Sequence, residues 1–132
     1  MSVLVDTNVI FDLLKSDPIW GDWSEGKLRE LESEILIINP VIFAEICFGY
    51  QSFRDADHIV RLLGFQYQEI PREGLYRASQ AFRSYRKNDG GRDSILPDFF
   101  IGGHADSSDH EILTRDTKRY RSYFPGVSLI SP

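Results

Sequence analysis

The stretch Met1-Ser2-Val3-Leu4-Val5-Asp6-Thr7-Asn8 constrains the fold most, because a short apolar run stops abruptly at a carboxylate, a hydroxyl and an amide. Val3, Leu4 and Val5 read as a strand buried on both faces, since strands inside a parallel sheet show continuous rather than alternating hydrophobicity. The next segment, Val9-Ile10-Phe11-Asp12-Leu13-Leu14, reads as a helix. Asp6 to Asn8 therefore form a strand-to-helix turn. In open α/β sheets ligands gather outside the carboxyl ends of strands, so polar side chains fixed there are natural site residues. Asp6 and Thr7 equally suit a plain helix cap, because either side chain accepts hydrogen bonds from free N-terminal amides.

The same pattern recurs along the chain. Ile35-Leu36-Ile37-Ile38 is a second uninterrupted apolar run and ends at Asn39-Pro40, an N-cap followed by proline at the first helical position. Glu111-Ile112-Leu113-Thr114 is a short strand, followed by Arg115-Asp116-Thr117, with Asp116 placed to cap a helix from Thr117 to Tyr123. Phe65 to Ile70 alternates, as a half-exposed strand at a sheet edge would, and Val127 to Ile130 supplies a last strand. Between them, Trp20 to Trp23 reads as a loop before a short helix starting at Asp22 or Ser24. Arg54 to Leu63 reads as a helix with Ile59, Leu62 and Leu63 on its packed side and Gly64 as its stop. Arg72 to Lys87 is amphipathic, Asn88 to Arg92 is a glycine-bearing loop, and a further helix runs from Leu96 through Ala105. Strands and helices in alternation predict an α/β fold: a central parallel sheet of about five strands with helices on both faces.

A chain of 132 residues suits a single domain, 1–132. Hydrophobic residues at 42% and charged residues at 27% give an ordinary globular balance. No run is long enough to span a bilayer and no secretory signal opens the sequence, so a soluble, cytoplasmic protein with no membrane partner is expected. Cys47 has no second cysteine to pair with and is expected to pack as a small core residue.

Glu45 is the most anomalous residue. It stands among Val41, Ile42, Ala44, Ile46 and Phe48, on no solvated helical face, and an unpaired buried carboxylate costs several kcal/mol. It calls for a metal, a basic partner or a proton. Asp98 lies in the first turn of its helix, where the dipole favours negative charge. Gly102 and Gly103 within that helix suggest a close approach to a neighbouring strand, which would bring Asp98 over the strand ends. His104 falls on another face and is not counted as a ligand. Asp6, Glu45, Asp98 and Asp116 thus converge on one edge of the sheet. Four carboxylates in one pocket repel one another unless a cation neutralises them, and an all-oxygen donor set selects Mg²⁺ or Mn²⁺.

The net charge of −5 speaks against a general nucleic-acid coat, but its distribution is uneven. Lys15, Lys27 and Arg29 are the only basic residues up to Phe53, whereas ten basic residues fall between Arg72 and Arg121. That half of the chain could hold a polyanion, or simply carry solvated helix faces.

The segments Val5 to Asp12, Asn39 to Glu45, Leu96 to Ala105 and Leu113 to Asp116 resemble the ordered motifs of PIN-domain ribonucleases, in particular the VapC-type toxins of toxin-antitoxin pairs. The resemblance covers essentially the whole chain. It implies that Asp6, Glu45, Asp98 and Asp116 form an acidic, metal-binding and catalytic pocket, with Asn8 and Thr114 as polar supports. It also implies a homodimer, a small antitoxin partner that blocks the pocket, and an RNA substrate such as tRNA or rRNA. Some relatives carry a further acid after the last motif; here Lys118 and Arg119 follow Asp116. The expected reaction is metal-assisted hydrolysis of an RNA phosphodiester, with Asp6, Asp98 and Asp116 holding the cation, Glu45 handling a water or its proton, and Arg83, Arg86 and Arg92 as candidates for gripping phosphates. Two rivals remain: a Mg²⁺-binding phosphoacceptor signalling domain, for which no lysine stands at the last strand end, and a PIN fold that binds without catalysing.

Overall fold

The computed structural model describes residues 1–88 and 96–132. Five parallel strands lie in the order β3-β2-β1-β4-β5, built from β1 (Ser2–Val5), β2 (Ile35–Ile38), β3 (Gln66–Tyr67), β4 (Glu111–Leu113) and β5 (Leu129–Ile130). Helices α1 (Thr7–Leu14) and α2 (Gly21–Glu30) join β1 to β2, and α3 (Pro40–Cys47) and α4 (Phe53–Leu62) join β2 to β3. The return crosses the sheet through α5 (Arg72–Asn88) and α6 (Leu96–Ser108), and α7 (Lys118–Tyr123) precedes β5. Val3, Leu4 and Val5 are all fully buried. Successive side chains of a strand point to opposite faces, so helices must cover the sheet on both sides.

The chain steps outward from β1 to β2 and β3, then returns to place β4 against the other side of β1. Strand order therefore reverses between β1 and β4, which is where open α/β sheets bind their ligands. The register pairs Val5 with Leu113, and the Asp6 amide donates to the Leu113 carbonyl at 2.9 Å. Asp6 and Thr114, the next residue on each strand, thus emerge side by side.

Several local expectations need correction. The Trp20 to Trp23 loop is already helical from Gly21, with Trp20 at the N-cap. The edge strand has only Gln66–Tyr67, both exposed, and the last strand only Leu129–Ile130. In α4 the buried face is Ala56 and Val60, with Leu62 exposed. Cys47 is half-buried rather than in the core. Gly102 and Gly103 do pack closely, but against helices and a ring rather than a strand: a Cβ on Gly102 would sit 2.3 Å from the Phe124 ring, and one on Gly103 would sit 2.4 Å from the Gly74 carbonyl oxygen of α5. The loop expected over Asn88 to Arg92 lies, from Asp89 onward, outside the described residues, as does Arg92 itself.

Candidate functional site

Asp6 combines both roles its position allows. It is the N-cap of α1, and its Oδ1 accepts the Thr7 amide at 2.7 Å. Its Oδ2 accepts the Thr114 hydroxyl and the Tyr120 hydroxyl, each at 2.9 Å, with the Asn8 amide nitrogen at 3.4 Å. Asp6 is only 5% exposed, and burial raises its carboxyl to about 6 despite these donors. Such a carboxylate is held in one orientation.

Asn8 and Thr114 both hydrogen-bond to Asp6 and to each other. Thr114 is fully buried, and its hydroxyl also accepts the Asp116 amide at 3.1 Å and the Asn8 amide at 3.3 Å. Asn8 Oδ1 in turn accepts the Arg115 amide at 3.4 Å. Glu45 accepts the Thr7 hydroxyl at 2.7 Å. It is half-buried, not enclosed, because Ala44 and Phe48 on the same helix face solvent; the expectation of a wholly buried glutamate overrated how much of α3 the core covers. Asp116 is exposed and does not cap α7, whose N-cap is Thr117 without a side-chain hydrogen bond.

Asp98 reports the crowding of charge. Its carboxyl is raised to about 7, first by burial, then by the charge of Asp6, with Asp116 and Glu45 adding to it and Arg119 opposing. Asp98 therefore feels the charge of each of the other three acids, and Asp6 that of Glu45. Like charges at close quarters disfavour ionisation, and a dication would reverse that preference. Among the described residues, no group of three or more acidic, histidine or cysteine side chains stands close enough together to hold a metal ion. Mg²⁺ keeps several waters and needs only one or two direct carboxylate contacts. The donors are all oxygen, so the residues present fit a hard divalent cation.

His104 is buried away from the acids. Asn39 spends its Oδ1 on the Ile42 amide at 3.0 Å as the α3 cap, so its amide nitrogen, 3.2 Å from His104 Nδ1, must donate to a neutral imidazole. Burial, with His110 nearby, lowers His104 to about 4.

Two groups escaped the sequence reading. Tyr120, 1% exposed, lies four residues beyond Asp116, and burial, followed by the charges of Asp6 and Asp98, raises its phenol well above its ordinary value. A polar-tipped aromatic one helical turn after a site acid was the available signal. Arg115 grips Asp12 with two contacts, Nε to Oδ2 at 2.7 Å and Nη2 to Oδ1 at 3.1 Å, while Ser24 donates to the same carboxylate at 3.0 Å. The Arg115 guanidinium also lies 5.7 Å from the centre of the Trp20 ring. Of the arginines proposed for phosphates, Arg83 and Arg86 are exposed on α5 and touch none of the acids. Arg119 stands nearer, its guanidinium 5.5 Å from the Tyr85 ring and its Nε buried without a partner among the described residues.

The reversal point of this α/β sheet carries a hydrogen-bonded aspartate, Asp6, whose charge is felt by Asp98. The chain belongs to the PIN domain family, whose profile matches residues 3–124. The fold is shared with VapBC-1 from nontypeable Haemophilus influenzae (TM-score 0.75, 18% identity, covering 99% of this chain and 98% of that one). It is shared likewise with VapBC2 from Rickettsia felis, solved bound to a DNA fragment from its promoter (TM-score 0.74, 16% identity, covering 99% and 98%). A toxin-antitoxin complex from Klebsiella pneumoniae is also similar (TM-score 0.65, 22% identity, covering 98% and 97%). No curated protein sequence matches the chain.

Proposed function

We propose that this chain is a Mg²⁺- or Mn²⁺-dependent endoribonuclease and the toxin of a toxin-antitoxin pair. The observation that carries the reading is the coupling of Asp98 to Asp6, Asp116 and Glu45 at the reversal point of the sheet, a surplus of negative charge that a divalent cation would neutralise. When bound, a divalent ion supplies an activated water at neutral pH and stabilises charge on the phosphate. Asp6, with its orientation fixed, would hold that ion, with Asp98 and Asp116 contributing directly or through water. Glu45, aligned by the Thr7 hydroxyl, holds the attacking water and accepts its proton. Asn8 and Thr114 keep the two strand ends in register beneath the acids. Arg119, poised beside Asp98 with spare donors, replaces Arg83 and Arg86 as the residue best placed for a phosphate oxygen.

The toxin reading is supported by fold similarity to VapBC assemblies and to a complex described as toxin-antitoxin. A small antitoxin partner and a homodimer belong to the same proposal, as does a cytoplasmic location beside tRNA and rRNA; no helix among the described residues is long and apolar enough to cross a membrane.

Purified protein incubated with mixed tRNA and rRNA in Mg²⁺, Mn²⁺ or EDTA, beside Asp6→Asn and Glu45→Gln, tests the proposal. Discrete fragments that need metal and vanish in both variants are expected. Cleavage surviving both substitutions would remove the mechanism. Metal binding without cleavage would favour a binding module, and a stable aspartyl-phosphate after exposure to a small phosphodonor would favour the signalling domain.

A further inference from the structure

A carboxylate offers about four lone-pair directions, two on each oxygen. On Asp6 most of them are taken. Oδ2 receives two hydroxyl donors at 2.9 Å, from Thr114 and Tyr120, with the Asn8 amide behind them at 3.4 Å. Oδ1 receives the Thr7 amide at 2.7 Å and keeps one direction open. The Tyr120 hydroxyl cannot easily turn away, and the other acceptor within reach of Thr114 among the described residues is the Asp116 carbonyl, at the longer distance of 3.3 Å. Thr114 is fully buried on the end of β4, and the Tyr120 ring is 1% exposed and packed in the hydrophobic core. Rotating the carboxylate to free Oδ2 would strand the buried Tyr120 hydroxyl, at a cost of roughly 1–3 kcal/mol, and would leave Thr114 only that longer contact to the Asp116 carbonyl.

We propose that Tyr120, acting with Thr114, limits Asp6 to a single cation-facing oxygen, Oδ1, and so makes the site select a small octahedral ion over calcium. The inference rests on the metal-dependent reading above and extends it to the choice of ion. Calcium takes about six to eight oxygens and readily uses both oxygens of one carboxylate, whereas Mg²⁺ wants about six at strict octahedral angles and is content with one. A carboxylate that can only bind through one oxygen therefore penalises calcium. Glu45 adds to the same bias, because its Oε1 already accepts the Thr7 hydroxyl at 2.7 Å. Tyr120 is a positioning residue in this scheme: it touches Asp6, not the substrate.

The test uses the full chain and does not depend on cleavage. Mn²⁺ binding is followed by electron paramagnetic resonance, and Mg²⁺ or Ca²⁺ is then titrated in to displace it from wild type, Tyr120→Phe, Thr114→Val and Thr114→Ser. In the wild type Mg²⁺ should displace Mn²⁺ at lower concentration than Ca²⁺. Removing either donor should raise the effectiveness of Ca²⁺ relative to Mg²⁺ by roughly tenfold, the scale on which partners of metal ligands act. Thr114→Ser, which keeps a donor, should retain the wild-type ratio. If Tyr120→Phe does not fold, as judged by circular dichroism, Thr114→Val carries the same expectation. An unchanged ratio in the variants, or a weakening of both ions together, would mean that the hydroxyls are merely structural and would overturn the inference alone. Mn²⁺ binding that is indifferent to Asp6→Asn would place the ion elsewhere and overturn the metal reading with it.

Discussion

Asp98 and His104 sit six residues apart on α6, and burial moves both away from their ordinary proton affinities in ways that can be measured. The Asp98 carboxyl, raised to about 7, holds a proton in the folded state at pH values where the unfolded chain has lost it. Stability without metal therefore falls as pH rises from about 4 to about 7, and the full cost of the charge is present above that. Asp98→Asn should raise the melting temperature in EDTA by about 3–6 °C at pH 8 and by almost nothing at pH 5, where the native carboxyl is already neutral. Calorimetry at the two pH values decides; a loss at both would mean that Asp98 makes a native contact, with Arg119 the first suspect. His104 runs the other way. Lowered to about 4 from its ordinary 6.5, it must stay neutral to remain buried against Asn39. Its contribution is complete above about pH 6.5 and is lost as pH falls toward 4, on the order of 2 kcal/mol. Urea unfolding at pH 7.5, 6 and 5 should show that decline, and His104→Gln should flatten it; an equal decline in the variant would assign it to other groups, His110 among them.

At the scale of elements, the sequence made the strands that carry the site legible because they are short, apolar on every position and stopped by polar residues. Asp6, Thr114 and Asn39 stand where those stops predicted. The helix faces were harder to read. The apolar composition of α3 suggested a helix buried all round, yet Phe48 is 91% exposed, and composition alone cannot say where a core ends. The hydroxyl of Tyr120 and the grip of Arg115 on Asp12 were invisible for a related reason: their partners are more than 100 residues away in the chain. That Arg115–Asp12 pair ties α1 and α2 to the loop bearing Asp116, and Asp12 is 3% exposed. Asp12→Ala would leave a guanidinium and the Ser24 hydroxyl without their acceptor, at a cost of roughly 3–5 kcal/mol in chemical denaturation. The glycine pair marks a close approach, but its spacing shows that a backbone comes close and not which one. Gly103→Ala forces a methyl against the Gly74 carbonyl oxygen and Ala78, backbone that cannot swing aside, so it should destabilise the crossing of α5 and α6 by about 2–3 kcal/mol. A cost below ~0.5 kcal/mol would mean that the two helices slide apart freely.

For the molecule as a whole, the sheet ends on the β3 side in an unfinished surface. The rings of Phe43, Phe53 and Tyr67 form one contiguous aromatic group, with centroids 6.4 Å apart for Phe43 and Phe53 and 6.0 Å for Phe43 and Tyr67. Phe53 is 72% exposed and Tyr67 50%. The strand beneath them, Gln66–Tyr67, pairs on one side only. Exposed aromatic area beside an open sheet edge is a liability for a chain that stays alone, and a second copy offering the same surface would cover both. This is the face on which the proposed homodimer is expected to form, on the opposite flank of the sheet from β5. Sedimentation across a concentration series should therefore show a dimer whose dissociation constant rises by at least ~30-fold in Phe53→Arg, the loss of one buried aromatic anchor. Mn²⁺ binding at Asp6 should be unchanged in that variant, because Phe53 lies on α4 and is none of the residues hydrogen-bonded to Asp6. A wild type that remains monomeric at high concentration, or a dimer indifferent to Phe53→Arg, would leave the aromatic face to the antitoxin, and co-purification with that partner would then be lost in Phe53→Arg.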